Sequence, residues 1–450
     1  MKIINKKAII MTAGALLAAA LLSGCSGKKD TVVIRFTYPE ESSAGINYPD
    51  ASFAVISDIH LYDHSLGTSG AAFDKTMSSD RKLLLDGIDL LDYATETIIA
   101  RGVGFVIVAG DLTKDGELIN HELAAEKLRV FTDAGIPVYV VPGNHDVNNP
   151  DAVSYSGDST TPVASVSADD FARIYGDYGY NAAILRDDDS LSYVTEPVDG
   201  LWLLALDACR YRENVPGKEE IVGGKISQQT ADWIAAMLQT AINHDKAVMV
   251  MIHHGVVEHW NGQSKLHPDY LIEGYEEFAK FLASWNVRLA FTGHYHAQDI
   301  ALGQFDDKFI WDIETGSLVT APCPIRFVEF SDNTFNVSTD TIVDKLYPGT
   351  DFADNARAFV KQTVMIEARS VLKEYWASNK DADYLADAVG DAFDAHYAGD
   401  EDPALRPPFN KSRLNLWGRV IYGQQKYALD GLWADVPPAD NNVRFSLSGE

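Results

Sequence analysis

Three cysteines in 450 residues are too few to staple a fold. A disulfide framework is excluded, and the core must hold the chain by itself. Basic residues are scarce too: 37 Lys and Arg face 65 Asp and Glu, a net charge of −28. That balance argues against nonspecific binding to an anionic membrane surface, and duplex nucleic acid is not an expected partner. An acidic chain that handles an anionic substrate needs a local source of positive charge. At the N-terminus a long apolar run is missing: Ala8 to Leu22 is too short, and too rich in Ala and Gly, for a membrane span.

What stands there instead reads as an export signal, with Lys2, Lys6 and Lys7 ahead of the apolar run. Leu22-Ser23-Gly24-Cys25 resembles a bacterial lipobox. The resemblance implies that residues 1–24 are removed and that a lipid on Cys25 anchors the protein to a membrane, facing outside the cytoplasm. An ordinary cleaved signal or a membrane anchor is the alternative. Residues 25–50 then hold a short tether, Ser26 to Asp30, and an edge strand over Thr31–Tyr38. Cys209 and Cys323 are expected to be unpaired thiols.

From Phe53 onward, apolar runs of strand length alternate with helical periodicity. FAVIS (Phe53–Ser57), FVIVAG (Phe105–Gly110) and VYVV (Val138–Val141) are separated by a helical pattern over Lys82–Arg101 and by a second that stops at Gly135. This order predicts parallel strands covered by helices. Residues 150–190 read as an insertion or long loop. LWLLAL (Leu201–Leu206), AVMVMI (Ala247–Ile252) and RLAFT (Arg288–Thr292) continue the strand pattern, and Ser227 is placed to cap an intervening helix. FIWDIE, IRFVEF and TFNVSTD are expected to be antiparallel strands closing a domain over residues 51–345. Helical patterns over 352–378, 381–397 and 412–430 mark a helical C-terminal domain or cap, residues 346–450.

The apolar runs end alike. They lead into Asp58-Ile59-His60, Asp111, Asn144-His145-Asp146, His253-His254 and His294-Tyr295-His296. Taken singly, each has an ordinary explanation: an Asp after a strand is usually a turn residue, and a lone strand-end His is usually hydrogen-bonded in the core. Five such ends in order point to convergence, because ligands of open α/β sheets gather outside the carboxyl ends of strands. Imidazole and carboxylate together suit Mn, Fe, Zn or Co rather than calcium.

The ordered set D-x-H, G-D, G-N-H-D, H-H and G-H-x-H resembles the calcineurin-like metallophosphoesterase family, from about Phe53 to Asp340. The resemblance implies an α/β fold, layered as a β-sandwich flanked by helices, with two divalent or mixed-valence transition metals (Mn, Fe or Zn) at the strand ends. It implies that Asp58, His60 and His296 bind one metal, that Asn144, His253 and His294 bind the other, and that Asp111 bridges them. His145 matches the family's catalytic histidine, oriented by Asp146, while Asn144, His145 and His254 would line the substrate site. The implied chemistry is attack of a metal-activated hydroxide on a small-molecule phosphoester. Lys114 stands where purple acid phosphatases carry tyrosine, and Asp115 where protein phosphatases carry arginine, so neither subgroup is expected. GDLTKDGE, GNHD, HHG and GHYH look most like the bacterial class III cyclic-nucleotide phosphodiesterases. The expectation is therefore an exported, lipid-anchored phosphodiesterase. A phosphomonoesterase such as a nucleotidase, or a non-catalytic surface binding lipoprotein, are the alternatives.

Overall fold

Residues 34–40, 47–78, 80–332, 334–434 and 437–447 are described by a computed structural model. The export signal, Cys25 and the tether lie outside them. Among the described residues, the first elements are β1 (Ala51–Ile56), α1 (Ala71–Met77), α2 (Gly87–Arg101), β2 (Phe105–Val108), α3 (Leu118–Asp133) and β3 (Val138–Val140). A hairpin of β4 (Val153–Ser156) and β5 (Ser159–Pro162) follows, then α4 (Ala168–Ile174). Residues 150–190 are thus an ordered insertion rather than a bare loop. Next come β6 (Leu185–Arg186), β7 (Tyr193–Val198), β8 (Leu201–Leu206), α5 (Gln228–Asn243), β9 (Ala247–Ile252), α6 (Gln263–Leu266), α7 (Tyr275–Ser284) and β10 (Leu289–Thr292). The remainder is β11 (Asp299–Phe305), β12 (Lys308–Glu314), β13 (Pro324–Ser331), β14 (Thr334–Thr341), α8 (Phe352–Glu374), α9 (Asn379–Ala398), α10 (Leu416–Gly431) and β15 (Asn442–Ser446).

The strands form two large mixed sheets, ordered β15-β14-β13-β1-β2-β3 and β11-β12-β10-β9-β8-β7-β6. In the first, β1, β2 and β3 run parallel, with Phe53 beside Phe105 and Val106 beside Val138. In the second, β8, β9, β10 and β12 run parallel. FIWDIE is therefore parallel to β10, and its antiparallel partner is β11, a strand the sequence pattern does not reveal. The sheets meet through aromatic rings. Phe53 of β1 stacks on Phe105 at 4.6 Å and meets Phe291 of β10 edge-on at 5.3 Å.

Local signals explain the helix ends. The Ser227 side chain accepts the Thr230 amide at the start of α5, as its position in the sequence suggests. Ser378 and Asn415 do the same for α9 and α10. Past α3, Gly135 adopts a left-handed φ of 80° that ends the helix.

Two expectations need correction. Ile34–Tyr38 has no strand geometry: Phe36 instead stacks on Phe281 of α7 at 4.7 Å, so side-chain packing holds this segment where ladder pairing was expected. The C-terminal residues do not stay helical, because β15 returns to pair antiparallel with β14. From Phe36 onward the chain is one compact unit, and Val360, Val364, Tyr397 and Trp433 join the same core as the strands. Cys209 and Cys323 are free thiols.

Candidate metal centre

The parallel strands of both sheets deliver their carboxyl ends to one crevice, and the backbone there is strained. Asp58, His60, Asp111, His294 and His296 all have positive φ, between 37° and 75°. Left-handed backbone at a non-glycine residue costs about 1–3 kcal/mol and persists only where the surroundings enforce it. Glycines let these turns approach closely. A Cβ on Gly143 would stand 2.0 Å from Asp111 Oδ1, and one on Gly293 would stand 2.0 Å from Ser57 Oγ.

Asp58, His60 and His296 form one group. His60 Nδ1 donates to the Thr113 carbonyl at 3.3 Å, which leaves the lone pair on Nε2. That atom lies 3.3 Å from His296 Nε2 and 3.8 Å from Asp58 Oδ1. Asp58 Oδ2 accepts from Ser57 Oγ and from the His294 amide. Among the described residues Oδ1, 3.3 Å from His296 Nε2, is buried without a hydrogen-bond partner. Donor lone pairs facing one another around an orphaned carboxylate oxygen are what a cation satisfies.

Asp111, His253 and His294 form the second group. His253 Nδ1 donates to the Ala109 carbonyl at 2.8 Å, and its Nε2 faces Asn144 Oδ1 at 3.2 Å and Asp111 Oδ2 at 3.3 Å. His294 Nε2 donates to the Asp269 carbonyl, leaving Nδ1 as its lone-pair nitrogen. Asp111 Oδ2 is shared between the groups, since His60 Nε2 is 3.6 Å from it.

Burial holds His60, His294 and His296 below the usual imidazole range, in the neutral form that ligates metal. Burial opposes a charge on His253 as well, but Asp111 outweighs it and raises that ring to about 9. Two carboxylates, one amide oxygen and four imidazoles thus fit a pair of borderline divalent cations. The structure brings together all seven residues that the motifs single out.

The surroundings of His145 differ from expectation. Asp146 does not orient it. The Asp146 carboxylate is fully buried and accepts from the amides of Leu112, Thr113 and Gly143 and from the Thr113 hydroxyl. Its work is to pin two strand-end loops together. Asp115 takes the orienting place, 3.0 Å from His145 Nδ1. Burial disfavours its charge, yet Lys114 and His145 hold its carboxyl below the usual range. The other ring nitrogen, Nε2, faces Lys82 Nζ at 3.4 Å, Glu220 Oε1 at 3.4 Å and Asp111 Oδ2 at 3.9 Å. Burial opposes protonation of His145, but Glu220 chiefly, with Asp111 and Asp115, raises it to about 10.

His254 is also misplaced by the motif. It is fully buried, donates Nε2 to the Val222 carbonyl and packs 4.4 Å from the His294 ring, so it backs the site instead of lining it. His121 is structural, held between the Tyr175 hydroxyl and the Asp146 carbonyl. Sequence reasoning missed Lys82 and Glu220, which come from irregular segments without motif spacing. The Asp at 115 was visible only as a missing arginine.

Fold and site together define a class: α/β sandwiches that gather, at their strand ends, groups of carboxylate and imidazole side chains able to hold metal ions. Residues 51–298, more than half of the chain, match the family model for calcineurin-like phosphoesterase, and the chain belongs to that family. Phosphoesterases of this family use dinuclear metal sites. The chain is 24% identical over 266 residues to a protein of Psychrobacter arcticus described as a probable cyclic nucleotide phosphodiesterase, spanning 58% of this chain and 79% of that one. Among solved structures it is similar to a dimetal phosphatase from Danio rerio at 17% identity, with a TM-score of 0.46, covering 66% of this chain and 97% of the other.

Proposed function

We propose that the protein hydrolyses phosphodiesters at this centre, with cyclic nucleotides as the leading substrate class. One oxygen carries the reading: Asp111 Oδ2 sits within 3.3–3.9 Å of three imidazole nitrogens, from His253, His60 and His145. Asp58, His60 and His296 would hold one divalent ion, Asn144, His253 and His294 the other, and Asp111 both. When bound, such ions supply positive charge for the phosphoryl oxygens and acidify the attacking water.

The protein's own groups do the rest. Asp115 fixes His145 Nδ1–H, so Nε2 faces the crevice and can deliver a proton to the leaving oxygen. Lys82, beside that nitrogen, adds positive charge for an anionic substrate in a chain of net charge −28. Glu220 accepts from Asn144 Nδ2 and contacts Asn149, closing one wall of the crevice. Similarity to the Psychrobacter arcticus protein, described as a probable cyclic nucleotide phosphodiesterase, supports diester over monoester cleavage.

The proposal extends to location. The lipobox-like segment ending at Cys25 would tether the enzyme outside the cytoplasm, and Cys25→Ala should release it from the membrane fraction. For the activity, Mn-reconstituted protein is assayed on bis-p-nitrophenyl phosphate, cyclic nucleotides and p-nitrophenyl phosphate. Faster turnover of the diesters is expected. A monoester preference would reassign the enzyme as a phosphomonoesterase, and no turnover of any ester would leave a binding protein.

A further inference from the structure

A second polar cluster, sharing no side chain with the strand-end centre, is buried beside the sheet edge behind Tyr295 and Ala297. His259, which follows β9, places Nδ1 2.7 Å from Asp299 Oδ1 at the start of β11. Its Nε2 faces Asp312 Oδ2 at 3.4 Å and Glu314 Oε2 at 3.5 Å, both on β12. From the other side, α9 contributes His396, whose Nδ1 contacts Glu401 Oε1 and lies 4.0 Å from Asp299 Oδ2. All six side chains are buried.

The hydrogen bonds do not close this cluster. Asp312 is fully engaged, with Oδ2 accepting the Val256 and Val257 amides and Oδ1 the Thr292 hydroxyl. Glu401 is not. Its side chain is 2% exposed, and among the described residues Oε2 has no hydrogen-bond partner. His259 Nε2 and His396 Nε2 are in the same condition. Charge is unbalanced too. Burial, with Asp299 and Asp312, raises the Glu314 carboxyl well above the usual range, so the negative charge of this closed region rests on Asp299, Asp312 and Glu401, against the one imidazole, His259, that these neighbours hold protonated. Arg326 is buried nearby, with its guanidinium on the main-chain carbonyls of Glu314, Asp440 and Asp299, and its charge is shared between Asp440, which faces it most strongly, and the cluster's own Asp299 and Glu314. Buried, uncompensated carboxylates are costly, and a divalent cation removes that cost.

We infer that Asp299, His396 and Glu401 form a structural divalent-cation site that clamps the end of α9 to the β11 edge of the sandwich. Their ligand atoms lie within 4.8 Å of one another. Two carboxylates with one imidazole select a borderline ion such as Zn2+ or Mn2+. The site shares no ligand with the strand-end centre and does not depend on the catalytic reading.

Zinc alone serves as the probe. Full-length protein is stripped with chelator, reloaded with Zn2+ and dialysed, and metal per chain is counted by emission spectrometry for wild type, Glu401→Gln and His396→Gln. Each variant should hold one ion fewer than wild type. The count is a difference, so it stands however many ions the strand-end centre holds. Equal counts in folded variants would overturn the site. Should the variants fail to fold, anomalous scattering at the zinc edge from zinc-loaded wild-type crystals decides. A peak bounded by Asp299, His396 and Glu401 supports the clamp, and a His396–Glu401 hydrogen bond with no peak beside it overturns it.

Discussion

In the proposed mechanism His145 and Asp115, 3.0 Å apart, act on one proton, and that coupling can be measured. His145→Ala removes the group facing the crevice and should lower diester turnover roughly 10²–10⁴-fold, with metal content unchanged. Asp115→Asn leaves the imidazole but loosens its orientation, an effect expected at about 10–100-fold. Because both changes disable the same transfer, the double variant should be no slower than His145→Ala alone. Multiplying effects would separate their roles. His121 shows a different consequence of burial. Desolvation lowers its pKa to about 4, against a hydrogen bond from Nε2 to the Asp146 carbonyl. The unfolded chain takes up that proton near pH 6.5 while the folded chain refuses it. Stability is therefore whole above about pH 6.5 and is lost as the pH falls towards 4, by roughly 2 kcal/mol between pH 6.5 and 5. His121→Gln cannot titrate. Its stability gap to wild type, read by denaturant unfolding, should narrow by about 2 kcal/mol from pH 7 to pH 5, and a constant gap would show that His121 titrates alike in both states.

At the scale of elements, β15 is the most informative piece. Phe445 lies 4.6 Å from Trp311 of β12 and 4.9 Å from Phe335 of β14, so one side chain bridges the two sheets. Phe445→Ala should cost roughly 2–4 kcal/mol. A chain ending at Ala434 should in addition expose β14 as an open edge and aggregate, which light scattering would detect. The sequence conceals this strand because five residues with an Arg at their centre carry little apolar signal, and the partner lies about a hundred residues upstream. By contrast β1, β2, β3, β8, β9 and β10 are legible, being buried on both faces and hence continuously apolar. The seven strand-end residues are legible for a related reason: each is fixed to its strand by a few bonds of chain. Asp115, Lys82 and Glu220 reach His145 only through tertiary folding, and their spacing betrays nothing. Asp146 misleads because adjacency in sequence suggests adjacency of side chains, whereas its carboxylate turns towards the amides of Leu112, Thr113 and Gly143.

For the whole molecule, the crevice is a seam. Asp58, Asp111 and Asn144 follow strands of the first sheet, while His253 and His294 follow strands of the second. Any cation held between them links the sheets, so its binding energy adds to the stability of the folded chain as a unit. Each ion at a hundred times its dissociation constant should contribute about 2.7 kcal/mol, provided the unfolded chain does not bind it. Stripping the protein with chelator should therefore lower its calorimetric melting temperature by several degrees, and Mn2+ should restore it in a concentration-dependent way. The transition should stay single, because Phe53 and Phe445 still join the sheets when the ions leave. His253→Ala removes one ligand from the second sheet and should shrink the metal-dependent shift. Were the chelated and metal-loaded proteins to melt at the same temperature, the seam would be held by side-chain packing alone, and the strand-end residues would not be gripping cations.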